Sequence, residues 1–175
     1  MSGRRDERIV HIMKKVFCVL LCLALCLSFS ACGGGSSKNV DVAALTLDAA
    51  IDTAIEKAGA EIEEVKINPH YELDGQSVVL VYLKGKDNLS ADMIKRGMYM
   101  QARDILKILQ VRDDIAEITF FWSFPLVDSH GNKSEGNVMK ITLEKDTLDK
   151  LNYDNFILDN FPTVADNYFE HAALK

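Results

Sequence analysis

The sequence predicts an α+β fold: a four-stranded antiparallel sheet packed on one face by helices, in the order α-β-β-α-β-β-α. Three observations carry this. Two segments repeat apolar residues at the helical period. Three shorter stretches alternate apolar and polar residues as half-exposed strands do, and a fourth is apolar on both faces. Helices beginning near Thr46 and Ser90 each precede two such strands, so the chain reads as two α-β-β units.

The first helix is marked by Leu47, Ala50, Ile51, Ala54, Ile55 and Ala58, which fall on one face of a 3.6-residue turn. Thr46 suits its N-cap, Asp48 suits the positive first turn and Gly59 suits its end. A half-exposed strand follows over Glu64–Tyr71, with Val65, Ile67, Pro69 and Tyr71 alternating against polar neighbours. Its Pro69 favours a sheet edge. Asp74-Gly75 signals a turn into Ser77–Leu83, a run apolar on both faces and therefore central.

The second helix spans roughly Ser90 to Val111. Ile94, Met98, Ala102, Ile105 and Leu109 form its stripe, and Gly97 sits in mid-helix, where close packing on the sheet is one use for it. A second hairpin pairs Ile118, Phe120, Trp122 and Phe124 with Met139, Ile141 and Leu143, across a long polar loop within Pro125–Asn137. Short helices are expected over Thr147–Leu151 and Thr163–His171.

Ahead of this domain lies a different kind of sequence. Met13-Lys14-Lys15 is a basic start, Val16–Phe29 is almost wholly apolar, and Ser30-Ala31 offers small residues before Cys32. That order is a secretory signal peptide over residues 1–31. Its apolar core, about 21 Å as helix, is too short to span a bilayer comfortably. Met13 begins a better-formed signal than Met1, so residues 1–12 read either as a start codon set too far upstream or as a longer basic n-region carrying Arg4, Arg5 and Arg8.

Phe29-Ser30-Ala31-Cys32, followed by Gly33-Gly34-Gly35-Ser36-Ser37, resembles the lipobox of bacterial prolipoproteins. Phe29 departs from the leucine usual at its position. The resemblance implies cleavage between Ala31 and Cys32, lipidation of Cys32, and residence on the extracytoplasmic face of a cell membrane, held by acyl chains. Residues 32–41 then form a Gly/Ser-rich tether, and 42–175 a single α+β domain. Cys18, Cys22 and Cys26 lie in the segment removed. The mature chain keeps only Cys32 and can form no internal disulfide. The first helix and hairpin, over about residues 45–85, also resemble the PepSY domain of secreted bacterial proteins. The Ala-rich helix ending Lys57-Ala58-Gly59 and the strand–Asp74-Gly75–strand after it carry that resemblance, which implies no catalytic residues.

Loss of residues 1–31 removes five of 20 Lys and Arg and two of 26 Asp and Glu, leaving 15 against 24, a net charge of −9. An acidic domain disfavours nucleic acid and gains nothing from anionic lipid, so the acyl chains must supply membrane attachment. No cofactor is expected beyond that covalent lipid.

Catalytic and metal-binding constellations are not evident. His70, His130 and His171 form no H-x-x-x-H or H-E-x-x-H pair, and zinc needs three or four converging ligands. Asp128-Ser129-His130 has the residue types of a hydrolase triad, but adjacent residues in a loop cannot take up triad geometry.

Recognition residues are easier to nominate. The polar loop offers Asp128 and His130. The tail repeats Asp-Asn-aromatic at Asp154-Asn155-Phe156, Asp159-Asn160-Phe161 and Asp166-Asn167-Tyr168. That pattern serves either turn chemistry with packed aromatics or a surface built from Tyr153, Phe156, Phe161 and Tyr168. Phe121 lies on the strand face opposite Phe120, Trp122 and Phe124, so the tail covers it or a partner does. The expected function is a non-enzymatic module that docks another envelope protein. Binding of a cell-wall glycan or small ligand is the alternative, and a small envelope enzyme comes after both.

Overall fold

The computed structural model describes residues 40–175, of which Asp41–Lys175 form one compact unit. After a 3-10 turn at Val42–Ala44 come α1 (Leu47–Lys57), β1 (Glu61–Pro69), β2 (Ser77–Lys84), α2 (Ala91–Leu109), β3 (Ile115–Val127) and β4 (Lys133–Glu144). The tail adds α3 (Lys145–Lys150), a 3-10 turn at Leu158–Asn160, α4 (Phe161–Val164), β5 (Asn167–Glu170) and a last 3-10 turn at Ala172–Leu174. The fold is α+β, with one five-stranded sheet in the order β1-β2-β3-β4-β5.

Local chemistry accounts for the two long helices. The Thr46 hydroxyl accepts from Ala49 N–H and the Ser90 hydroxyl from Met93 N–H, so each helix starts on a satisfied cap. α1 ends where Gly59 turns left-handed at φ +62°. α1 buries Ala50, Ile51, Ala54 and Ile55, and α2 buries Met98, Ala102, Ile105 and Leu109. These meet one face of the sheet, made by Val79, Val81 and Leu83 of β2, Ile118, Phe120 and Trp122 of β3, and Met139, Ile141 and Leu143 of β4. Trp122 is fully buried and donates its indole N–H to Gln101 Oε1 of α2 at 2.9 Å.

The sheet is not wholly antiparallel, as the sequence suggested. β2 and β3 run parallel, Val81 beside Phe120. The reason is the length of α2. Its 19 residues rise about 28 Å, close to the length of β2, so they return the chain to the end where β2 began. β3 must then start alongside Ser77, whose N–H donates to Asp114 carbonyl. β1 is an edge strand, as Pro69 suggested, but it runs over Glu61–Pro69 and stops short of the expected end at Tyr71.

Two further expectations are corrected. The loop expected within Pro125–Asn137 shrinks to residues 128–132, because Phe124–Val127 pair with Lys133–Gly136 as a two-stranded arm. β3 has left β2 beyond Ser123, so Pro125 lies on a free margin where a missing N–H loses no bond to β2. The helix expected over Thr163–His171 is also replaced, by α4 and β5. Asp166 accepts from Glu144 N–H and the Thr147 hydroxyl, turning the chain onto the sheet, where β5 pairs with Met139–Thr142.

Gly97 needs no close approach, contrary to the packing role the sequence suggested. A Cβ placed there would meet nothing within 4 Å. Gly97→Ala should therefore raise stability by about 1 kcal/mol through helix propensity alone. Urea titration by circular dichroism reads this, and a destabilised variant would contradict it. Gly85 is the opposite case: a Cβ there would lie 2.8 Å from Phe124 and 3.0 Å from the Ser123 carbonyl, backbone that cannot move aside.

The chain enters the fold under a clasp. Arg112 gives Nη1–H bonds to the carbonyls of Val42 and Leu45, each at 2.9 Å, while Nε and Nη2 bind both oxygens of Asp114. The guanidinium hydrogen bonds hold the Asp114 carboxyl below the usual carboxylate range.

Candidate functional site

Side chains alternate across a sheet, so the helix-covered face has an opposite number. That second face is built from Glu64, Lys66 and Asn68 of β1, Val78, Leu80 and Tyr82 of β2, and Glu117, Thr119 and Phe121 of β3. Lys140, Thr142 and Glu144 of β4 and Asn167 and Phe169 of β5 complete it. Leu80, Tyr82, Phe121 and Lys140 are half-buried here, whereas their neighbours on the helix side are closed to solvent. The tail does not lie over Phe121. It adds β5 to the sheet margin and sends Tyr153, Leu158 and Phe161 into the core.

Register sets the face out in rows. One row crosses all five strands as Glu64, Tyr82, Phe121, Lys140 and Phe169. The Tyr82 and Phe121 rings stack at 4.7 Å and 8°. Lys66 Nζ lies 5.2 Å from the Tyr82 ring and Lys140 Nζ 5.8 Å from the Phe121 ring. The two rings and two ammonium groups thus form a ridge with a cation over each ring. The ammonium groups, with the positive rim of the Phe121 ring, make this part of the face favourable to anionic groups.

The next row is low: Thr119 and Thr142 are 2 % and 6 % exposed and share a hydroxyl bond of 2.9 Å. Beyond it, Glu117 and Glu144 stand directly opposite each other. The Thr119 hydroxyl donates to Glu117 Oε1, yet neither carboxylate has a cation among the described residues. Like charges in direct cross-strand register are destabilising. Lys66 is paired with Glu64 at 3.0 Å, whereas Lys140 makes no ion pair among the described residues.

The residues nominated from sequence are distributed over several places. Phe121 is on the open face. Asp128 and His130 occupy the tip of the β3–β4 arm, where Asp128 accepts from His130 N–H, Asn132 N–H and Asn132 Nδ2. The Asn132 bonds, side chain first, hold the Asp128 carboxyl below its ordinary range and make it a turn-forming group. Tyr153 is buried and donates to the Leu148 carbonyl, and burial pushes its phenol up to about 12. Phe161 is fully buried, with Phe156 edge-on to it at 4.8 Å.

Tyr168 joins a network that pins β5 to α2. Its hydroxyl bonds Tyr99 at 2.5 Å and Glu170 at 2.6 Å, and Glu170 pairs with Lys95. Burial, then these bonds, push the Tyr168 phenol far above its usual range. Ala31 and Cys32 lie outside the described residues.

The sequence pointed to Phe121 but missed Tyr82, Lys66, Lys140 and Phe169. Lys140 was accessible in principle, because hairpin register puts it opposite Phe121. Tyr82 was not, because its place beside Phe121 depends on the parallel β2–β3 pairing.

One cavity of about 30 Å³ lies between Leu106, Leu109, Ile118 and Leu148, near Tyr153 and Lys145. That is room for a water or two, far below the size of a small-molecule site. Among the described residues no three His, Cys, Asp or Glu side chains converge as a metal-binding group, and no helix is long and apolar enough to cross a membrane. The chain matches no family model, no curated protein and no solved structure.

Proposed function

We propose that this chain is an exported lipoprotein, anchored through Cys32, whose domain docks another envelope protein by way of the open sheet face. The observation that carries the docking is the row from Tyr82 to Phe169, with aromatic and cationic groups on the face opposite the one that the described helices cover. A sheet in a monomer can leave one face to solvent, but that face is then usually polar. Here it carries Leu80, Tyr82, Phe121 and Phe169. The support for the anchor is the Ser30-Ala31-Cys32 leader pattern.

The glycan alternative has less support on this face. Sugars stack on ring faces, and those of Tyr82 and Phe121 are taken by each other and by Lys66 and Lys140. The tail aromatics that would have lined a cleft are largely core, Tyr153 and Phe161 among them.

The test places a photocrosslinking phenylalanine analogue at Phe169, which is 46 % exposed at the end of the row, in the full chain in cells. A Cys32→Ala variant serves as control. One dominant crosslinked species is expected, lost in the control because detachment dilutes the protein away from its partner. No crosslinked species in either strain would count against docking through this face. Incorporation of labelled fatty acid, abolished by Cys32→Ala, tests the anchor separately.

A further inference from the structure

We infer that the partner seated on the open face is a second copy of this chain. The inference rests on the docking reading and names its occupant. The charge layout of the face is self-complementary. Along β4 the outward residues read Lys140, Thr142, Glu144, a cation and an anion on either side of a small polar centre.

Two copies meeting face to face are related by a two-fold axis lying in the interface. An axis that crosses the strands along the row Leu80–Thr119–Thr142 inverts the order of the rows. Lys140 of each copy then lies over Glu144 of the other. The same operation sets the Phe121 ridge over Glu117 and Tyr82 over Val78. A positive ring edge meets a carboxylate in the first, and apolar surface meets apolar surface in the second.

What is unfavourable in one copy is relieved in two. Glu117 and Glu144 repel across β3 and β4, and among the described residues neither carboxylate pairs with a cation and Lys140 pairs with no carboxylate. Glu144 and Lys140 each lack what the other copy supplies. The Thr119–Thr142 row is low enough that nothing at the centre holds the faces apart. At the β1 margin Lys66 approaches its own counterpart, and each brings Glu64 with it.

Size sets the strength. Five strands at about 4.8 Å and roughly eight residues of strand at about 3.3 Å each give a flat footprint of about 600 Å². Stable interfaces remove about 800 Å² of accessible surface per partner, so side-chain relief brings this face near the lower limit. A weak dimer follows, with a dissociation constant in the micromolar range or above. Confinement to a membrane surface would raise the effective concentration into that range.

The test is sedimentation of the purified domain, residues 40–175, which holds the whole described core, from about 10 μM to about 1 mM at low salt. The wild type should dimerise with rising concentration, and less so at high salt. Lys140→Glu and Glu144→Lys should each weaken the dimer by about tenfold or more, since each puts like charges across the interface. The double exchange, Lys140→Glu with Glu144→Lys, should restore it. Circular dichroism of all three variants should match the wild type. A wild type monomeric throughout, or a double variant no better than the singles, overturns the inference. The cellular crosslink separates this failure from failure of docking. A product of twice the chain's mass supports the second copy. A product with any other protein leaves docking standing and removes the second copy, and absence of product removes both.

Discussion

Trp122→Ala is expected to remove about 3–5 kcal/mol of stability. The indole is fully buried between Phe120, whose ring lies 5.7 Å away, and α2, and it is the chain's single tryptophan. Truncation opens a cavity beneath the helix and strips Gln101 Oε1 of its donor. A domain of this size has about 5–15 kcal/mol to lose, so the variant should sit near its unfolding midpoint in mild urea. Trp122→Phe keeps most of the volume and loses chiefly the hydrogen bond. Half-exposed Gln101 can recover that from water, so a loss of about 1 kcal/mol is expected. Urea titration followed by far-ultraviolet circular dichroism measures both. An alanine variant within 1 kcal/mol of wild type would mean that Trp122 does not close the core.

Arg112→Met should cost about 2 kcal/mol and loosen the start of the domain selectively. The guanidinium satisfies two carbonyls and one carboxylate at once, and its side chain is only 9 % exposed. Removing it leaves Asp114 without its counter-charge. Asp114 is 34 % exposed, which keeps the loss below the 3–5 kcal/mol of a fully buried broken pair. Hydrogen exchange should show the amides of Ala44 and Leu45, whose partners are Asp41 and Val42, opening faster while those of β3 stay protected. Uniform acceleration would instead mark a general loss of stability.

The same clasp has a pH dependence. The Asp114 carboxyl is held low in the folded chain, so its contribution is complete above the ordinary carboxylate pKa of about 4. The contribution fades as pH falls through the lower folded value, because protonation breaks the bond to Arg112. Wild type should lose this increment in acid, and Arg112→Met should have none to lose.

How much of this was legible depends on where each signal resides. α1, α2 and their caps depend on residues within a few positions of one another, and Thr46 and Ser90 do cap them. The edge position of β1 followed from Pro69 alone. The parallel seam was only hinted at, by the run Ser77–Leu83 being apolar on both faces, which suits a strand flanked on each side. Its direction came from matching the length of α2 to the length of β2, a comparison between elements.

β5 was missed because four residues are too few for a period to show. Its partner segment, Met139–Thr142, lies more than 20 positions away. The tail aromatics were ambiguous in sequence for a physical reason: Tyr153 and Phe161 would look the same lining a cleft or closing a core. The open face was visible at one residue, Phe121, because only there did an aromatic break the alternation. Its neighbours are set by pairing across strands, which a single strand does not record.

The parallel seam also governs how the chain can be made. A ribosome delivers α1, β1 and β2 first, and a local hairpin can close at once. β2 is then left with a bare margin, unpaired on the side where β3 will lie and apolar on both surfaces. About thirty residues, mostly α2, must emerge before β3 begins to appear. Through that interval the nascent chain exposes a sticky strand of the kind that recruits neighbouring chains. The two α-β-β halves, similar in layout, are therefore not independent pieces: the first is safe from association only once the second has arrived to cover it.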